Sequence, residues 1–187
     1  MGKFQQYINE NNDMVIYHGD AHKLSALNIK SMFHESGNFQ EGVGIYFGDL
    51  KTAETYGKYV YKAVIDKKRF VNSRKSMHEV KINADKIYKM LLKLWKFNIE
   101  EFFYFLSDYV YAENADDITG KHLKELSGYL VDEEVRNFQI SLAEIFGPEK
   151  FVPVWNDITK IDGTFYRHND SEDWFAVINP KIKIIKV

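Results

Sequence analysis

The sequence predicts an α+β fold, in which short strands near both ends of the chain flank a long block of amphipathic helices. Three observations predict it. β-prone apolar runs bounded by glycines and acids occur up to Asp66 and again after Gly147. Between about Ala84 and Phe146, apolar residues instead recur at helical spacing. The 187-residue chain is 45% hydrophobic and 16% aromatic, enough for a sizeable core and against disorder. The expectation is a single domain over 1–187 with a helical insertion at about 84–148.

Met14-Val15-Ile16-Tyr17 reads as the first strand, ended by a turn at His18-Gly19-Asp20. A loosely helical stretch, His22 to Phe33, and a polar loop, Ser36 to Glu41, follow. Gly42 to Phe47 reads as a second strand whose glycines let another group approach its backbone. Asp49 is placed to cap a short helix over Leu50 to Tyr56, with Gly57 at the position after its end. Tyr59 to Asp66 is a third strand. Helical periodicity then runs through Ile87, Met90, Leu91, Leu94 and Trp95 to Tyr109. It breaks at Asn114 to Asp117 and resumes from Leu123 to Ile145, before Gly147-Pro148 ends it. Phe151 to Trp155, Gly163 to Tyr166 and Trp174 to Ile178 read as strands, and Pro180 separates the last from Ile182 to Val187.

Charge and composition exclude several classes. The formal net charge is -2 with a pI near 6.3, so no global field draws the chain to nucleic acid or a membrane. The absence of cysteine excludes disulfides, a thiol nucleophile and thiolate metal sites. Met1 to Asp13 lacks the apolar core of a signal peptide, Gln6 stands where a myristoylation motif needs Ser or Thr, and no apolar run approaches spanning length. A cytoplasmic protein without membrane attachment is expected. The six histidines are scattered and His34-Glu35 lacks a second His at zinc-helix spacing, so no metal is expected. Charge also divides the chain: Lys62 to Lys96 holds eleven basic residues against three acids, and Glu100 to Glu149 holds twelve acids against three bases. Such blocks are ordinarily solvated helix faces, and a docking surface is the alternative.

Three segments can carry chemistry. They are Tyr17-His18-Gly19 at a strand end, Gly42-Val43-Gly44-Ile45-Tyr46-Phe47 followed by Tyr56-Gly57, and Glu172-Asp173-Trp174 opening a C-terminal strand. Taken singly, each has a structural explanation: a histidine satisfied in a turn, glycines at a strand, acids at an exposed strand start. Their order and spacing, however, resemble the His-Tyr-acid signature of the diphtheria-toxin-like and poly(ADP-ribose)-polymerase-like ADP-ribosyltransferases. The run from Glu41 to Gly57 carries most of the likeness, and Ile161-Asp162-Gly163 with the tail from Asp173 to Ile185 resembles the ending of small bacterial and phage members. The resemblance covers about 14–66 and 151–187 and leaves out the helical insertion.

The resemblance implies a split-sheet ADP-ribosyltransferase fold that cleaves NAD+ as substrate, through an oxocarbenium-like transition state akin to that of glycoside hydrolysis. It implies that His18 bonds a ribose hydroxyl and that Gly19 offers backbone groups to the carboxamide. Tyr46 and Tyr56 would sandwich the cationic ring, with Gly44 close to the cofactor. The catalytic acid is expected at Asp173, with Glu172 as alternative. Counted back from Asn179-Pro180 without gaps, the position falls on Trp174, and a β-bulge would supply the one-residue shift that Asp173 needs. Ala53 stands where some members place a Ser for the carboxamide. The implied activity is mono-ADP-ribosyl transfer to a protein or nucleic-acid acceptor, as a toxin, phage effector or anti-phage toxin, with the insertion available to an antitoxin or regulator. A catalytically silent NAD, ADP-ribose or protein binding module and an NAD glycohydrolase are the alternatives.

Overall fold

The computed structural model describes residues 13–28, 42–169 and 172–187. It is a mixed α/β fold with two open sheets, compatible with α+β. The first sheet has the order β1-β3-β7, from β1 (Asp13–Asp20), β3 (Tyr59–Asp66) and β7 (Ile184–Lys186), all antiparallel. The second has the order β2-β6-β5-β4, from β2 (Ile45–Phe47), β6 (Glu172–Val177), β5 (Gly163–Asn169) and β4 (Phe70–Asn72). Its β4–β5 pair is parallel and the others antiparallel. Alternation sets the buried faces. Ile16, Ala63 and Ile65 lie inward on the first sheet, whereas Val15 and Val64 face out. On the second, Ile45, Phe47, Phe175 and Val177 lie inward.

The helical block is α2 (Ala84–Leu94), α3 (Ile99–Ser107), α4 (Gly120–Leu130), α5 (Val135–Phe146) and α6 (Pro148–Thr159). Ile87, Met90, Leu91 and Leu94 form the buried stripe of α2, the 3.6-residue period expected from sequence. The break at Asn114 is a short 3-10 turn, Ala115–Asp117, in which the Asn114 side chain accepts from the Asp116 N–H at 3.0 Å. One continuous core joins helices and sheets, from Ile16 and Phe175 to Leu142 and Trp155.

Several expectations are corrected. Phe151 to Trp155 is helix, not strand, so the helical block runs to Thr159 rather than ending near 148. Gly147 turns the chain at φ 74°, and Pro148 opens α6 at the first helical position, where its missing N–H costs nothing. Phe151, Val152 and Trp155 then form one buried stripe, while Pro153 sits on the exposed side. The turn expected at His18-Gly19-Asp20 is strand, because Gly19 and Asp20 still pair with Val60 and Tyr59. The stretch after it is not helical as far as Asn28. Asp20 accepts from the His22 N–H at 2.7 Å, a local bond that competes with a helix, and the Tyr61 hydroxyl of β3 accepts from the Leu24 N–H at 2.7 Å, a tertiary bond that draws that backbone group away from one. Its continuation to Phe33 and the loop Ser36 to Glu41 lie outside the described residues. The three-residue β4 was not anticipated.

Asp157 of α6 ties the block together at its surface, accepting from Lys93 of α2 at 2.8 Å and from Lys160 at 3.3 Å. Those two hydrogen bonds hold its carboxyl below the usual range. A depressed folded pKa means stability present at neutral pH and lost as pH falls through that value. Asp157→Asn should therefore lower stability slightly at pH 7, with the difference from wild type closing as acid protonates the carboxylate and shrinking in high salt. Urea titrations of both proteins at neutral and at acidic pH measure it.

Candidate functional site: an aromatic cleft between the two sheets

The two sheets touch where Tyr17 and Gly48 exchange backbone hydrogen bonds, Tyr17 N–H to Gly48 O at 2.9 Å and Gly48 N–H to Tyr17 O at 2.8 Å. A cleft of about 410 Å3 opens at this junction. Its walls come from β1 (Tyr17, His18, Gly19), β2 and the next residue (Tyr46, Phe47, Gly48), the helix α1 (Leu50–Tyr56; Thr52, Ala53, Tyr56), and Trp174 of β6. None of these residues is a carboxylate, lysine or arginine.

Each wall is held by a specific local device. His18 Nδ1 lies 2.7 Å from the Tyr46 carbonyl oxygen. A carbonyl only accepts, so Nδ1 carries the proton in this bond and the ring is locked to β2. Its Nε2 lies 3.5 Å from Asp20 Oδ2. The Tyr46 hydroxyl donates to Gly42 O at 2.8 Å, which fixes that ring. Asp49 caps α1 by accepting from the Thr52 N–H at 2.6 Å, as the sequence suggested. Tyr56, 62% exposed at the end of α1, meets Trp174 edge to face, with centroids 6.3 Å apart at 89°.

Two glycines bring α1 against β1. A Cβ on Gly19 would overlap the Ala53 carbonyl oxygen, and one on Gly57 would overlap the Asp20 carbonyl group. Gly57 is extended, with φ 177°, so it does not form the left-handed helix end expected for it. Its glycine is needed for close approach instead.

The structure thus brings together His18, Gly19, Tyr46 and Tyr56. Gly44 is not in the cleft wall. It has φ 152°, and a Cβ there would stand 2.7 Å from the Val177 carbonyl oxygen, so sheet packing accounts for it. Asp173 is not in the wall either. Its carboxylate, 8% exposed, accepts from Lys67 Nζ at 3.2 Å and Arg167 Nε at 3.1 Å. The register irregularity of this hairpin falls between Arg167 and Asn169 on β5. It therefore leaves β6 unshifted from Asp173 to Val177, and pairing puts Trp174 on the face of Ala176 and Tyr46. Glu172 opens β6 opposite Asn169. Tyr17, Thr52 and Trp174 were not proposed as site residues from sequence. The ungapped count that landed on Trp174 was the signal for one of them.

The other half of the tail likeness is structural. Asp162 accepts from Asn179 Nδ2 at 2.6 Å and pairs with Arg69 at 2.8 Å. Its backbone oxygen also accepts from the Ile178 and Asn179 N–H groups at 2.9 and 3.1 Å. Asp162-Gly163 and Asn179-Pro180 are therefore two halves of one clasp at the β5–β6 end.

Among the described residues there is no group of three or more side chains able to hold a metal ion, and no helix is long and apolar enough to cross a membrane. No family model matches the chain, and no curated protein matches it. A solved structure described as "Crystal structure of an anti-CRISPR protein" aligns over 94% of this chain and 96% of that one, at 13% identity and TM-score 0.37. That TM-score defines neither a shared fold nor a shared activity.

Proposed function

We propose that the cleft holds the nicotinamide end of NAD+ and that the chain is a mono-ADP-ribosyltransferase of the His-Tyr-acid type. The observation that carries this is the convergence of His18, Tyr46 and Tyr56 on one cleft, with Gly19 beside them, at the junction of two short open sheets. At about 410 Å3 the cleft is near the lower end of small-molecule sites. It suits a ring and its ribose, with the rest of the dinucleotide outside. Breaking the C1′–N1 bond sends the electron pair to the nicotinamide nitrogen and leaves positive charge on the ribose. The acceptor then attacks C1′ and loses a proton. Holding the ring stacked and the ribose hydroxyls fixed lowers that barrier. In this reading His18 Nε2, beside the Asp20 carboxylate, turns to a ribose hydroxyl. The acceptor is a protein or a nucleic acid, the setting that of a toxin or a phage or anti-phage effector acting in the cytoplasm, and the helical block is the surface for a regulator.

A second reading, a silent NAD or ADP-ribose binding module, is favoured by one observation. Asp173 is occupied by Lys67 and Arg167, while Trp174 stands in the cleft.

One experiment separates these. The protein is incubated with labelled NAD+ and a cell lysate, with and without nuclease, and NAD+ affinity is measured alongside. Transfer predicts label on a macromolecule, lost in His18→Ala and Tyr56→Ala together with at least about tenfold of NAD+ affinity. Asp173→Ala and Glu172→Ala then identify the acid. Nicotinamide release with only free ADP-ribose would mean a glycohydrolase, and binding without turnover a silent module. No NAD+ binding by the wild type would end the proposal.

A further inference from the structure

We propose that Trp174 is a specificity-determining residue that makes the cleft selective for a positively charged, N-alkylated pyridinium ring over its neutral counterpart. The inference rests on the nicotinamide reading for the choice of ring, but it does not depend on turnover.

The position follows from strand register. Ala176 pairs with Tyr46 of β2 and with Thr164 of β5, and Trp174 pairs with Tyr166. Side chains alternate along a strand, so Trp174 shares the face of Tyr46 and lies two residues along β6 from its partner Ala176. There its ring stands perpendicular to that of Tyr56, at 89°. The pair makes a corner rather than a stack, and Tyr46 and Tyr17 complete the wall from the other sheet elements.

The charge inventory then decides what this corner prefers. Among the described residues the wall holds no acid, lysine or arginine, and the carboxylate beside it, Asp20, faces His18 Nε2 at 3.5 Å. At the Trp174–Tyr56 corner, the described groups that meet a ring's charge are aromatic faces, of which indole is the strongest. A neutral pyridine gains stacking and area burial from the same rings but lacks this attraction. The difference is expected to favour the cation by about tenfold, the affinity ratio that a partly desolvated cation–π contact supports.

The test is calorimetric titration of the full-length protein with N1-methylnicotinamide, nicotinamide and NAD+. Wild type should bind N1-methylnicotinamide about tenfold more tightly than nicotinamide. Trp174→Leu should bring that ratio to within about threefold of unity while nicotinamide affinity changes less, and Trp174→Phe should keep most of the preference. Thermal unfolding of both variants establishes that they are folded, and Trp174→Phe keeps the test usable if the leucine variant is not. A wild-type ratio near one, or a full ratio retained in Trp174→Leu, overturns the inference. If NAD+ binds but charge makes no difference, the nicotinamide reading stands and Trp174 has no such role. If the cation is preferred but NAD+ does not bind, the selectivity stands and the NAD+ reading falls. Failure to bind any of the three overturns both.

Discussion

Gly19→Val is expected to separate α1 from β1 and abolish ligand binding in the cleft. The added Cβ would overlap the Ala53 carbonyl oxygen and stand 2.8 Å from its carbon. That neighbour is helix backbone, which cannot swing aside as a flexible side chain would. The helix must move as a unit, carrying Thr52, Ala53 and Tyr56 away from His18 and Tyr46. Overpacking of this kind costs about 3 kcal/mol, or roughly 6–12 °C in Tm for a domain of this size. The control is Gly128→Ala in α4, where an added Cβ meets nothing within 4 Å. There the lower entropy of the unfolded chain should stabilise the protein by about 0.5–1 kcal/mol. Differential scanning calorimetry and NAD+ titration of the two variants measure both effects. A Gly19→Val protein with wild-type Tm and affinity would show that α1 is not held as described.

Trp155→Ala is expected to lose about 3–5 kcal/mol, through the lost burial of the indole and the cavity left behind. Trp155 is fully buried in α6. It packs on Phe151 at 5.8 Å and on Phe138 of α5 at 6.2 Å. Its Nε1 has no hydrogen-bond partner among the described residues. Trp155→Phe therefore sacrifices no hydrogen bond, and its smaller volume loss should cost about 1–2 kcal/mol. Urea denaturation gives both values from the midpoints, provided the slope is unchanged. The phenylalanine variant should keep its ligand affinity, because Trp155 is outside the cleft wall. Equal losses for the two substitutions would mean that the indole nitrogen has a partner after all.

Several elements are legible in local sequence. The period of Ile87, Met90, Leu91 and Leu94 gives α2 because a helix buries every third or fourth residue. Asp49 gives the start of α1 because its side chain serves its own backbone neighbours. Tyr59 to Asp66 gives β3 because alternation and β-branching coincide. The segment Phe151-Val-Pro-Val-Trp155 misled because its residue types favour strands, whereas Gly147, Pro148 and the packing of Phe151 and Trp155 on α5 settle it as helix. Strand β4 is only Phe70–Asn72 and exists through parallel pairing with β5, more than ninety positions away, which no local pattern encodes.

The same division holds at the site. Sequence alone put forward His18, Gly19, Gly44, Tyr46, Tyr56, Asp173 and Glu172, since order, spacing and residue chemistry are properties of the chain. That His18, Gly19, Tyr46 and Tyr56 line one cleft, and Gly44 and Asp173 do not, was decided by tertiary structure. It takes the Tyr17–Gly48 bridge to join the sheets, and the bare backbones at Gly19 and Gly57 to bring α1 against them. The acid position shows the limit most sharply. Counting along the chain leaves Asp173 and Trp174 one residue apart, and one residue reverses which face of a strand a side chain occupies. Only the pairing of β6 with β2 and β5 resolves that ambiguity, sending Trp174 to the cleft and Asp173 to Lys67 and Arg167.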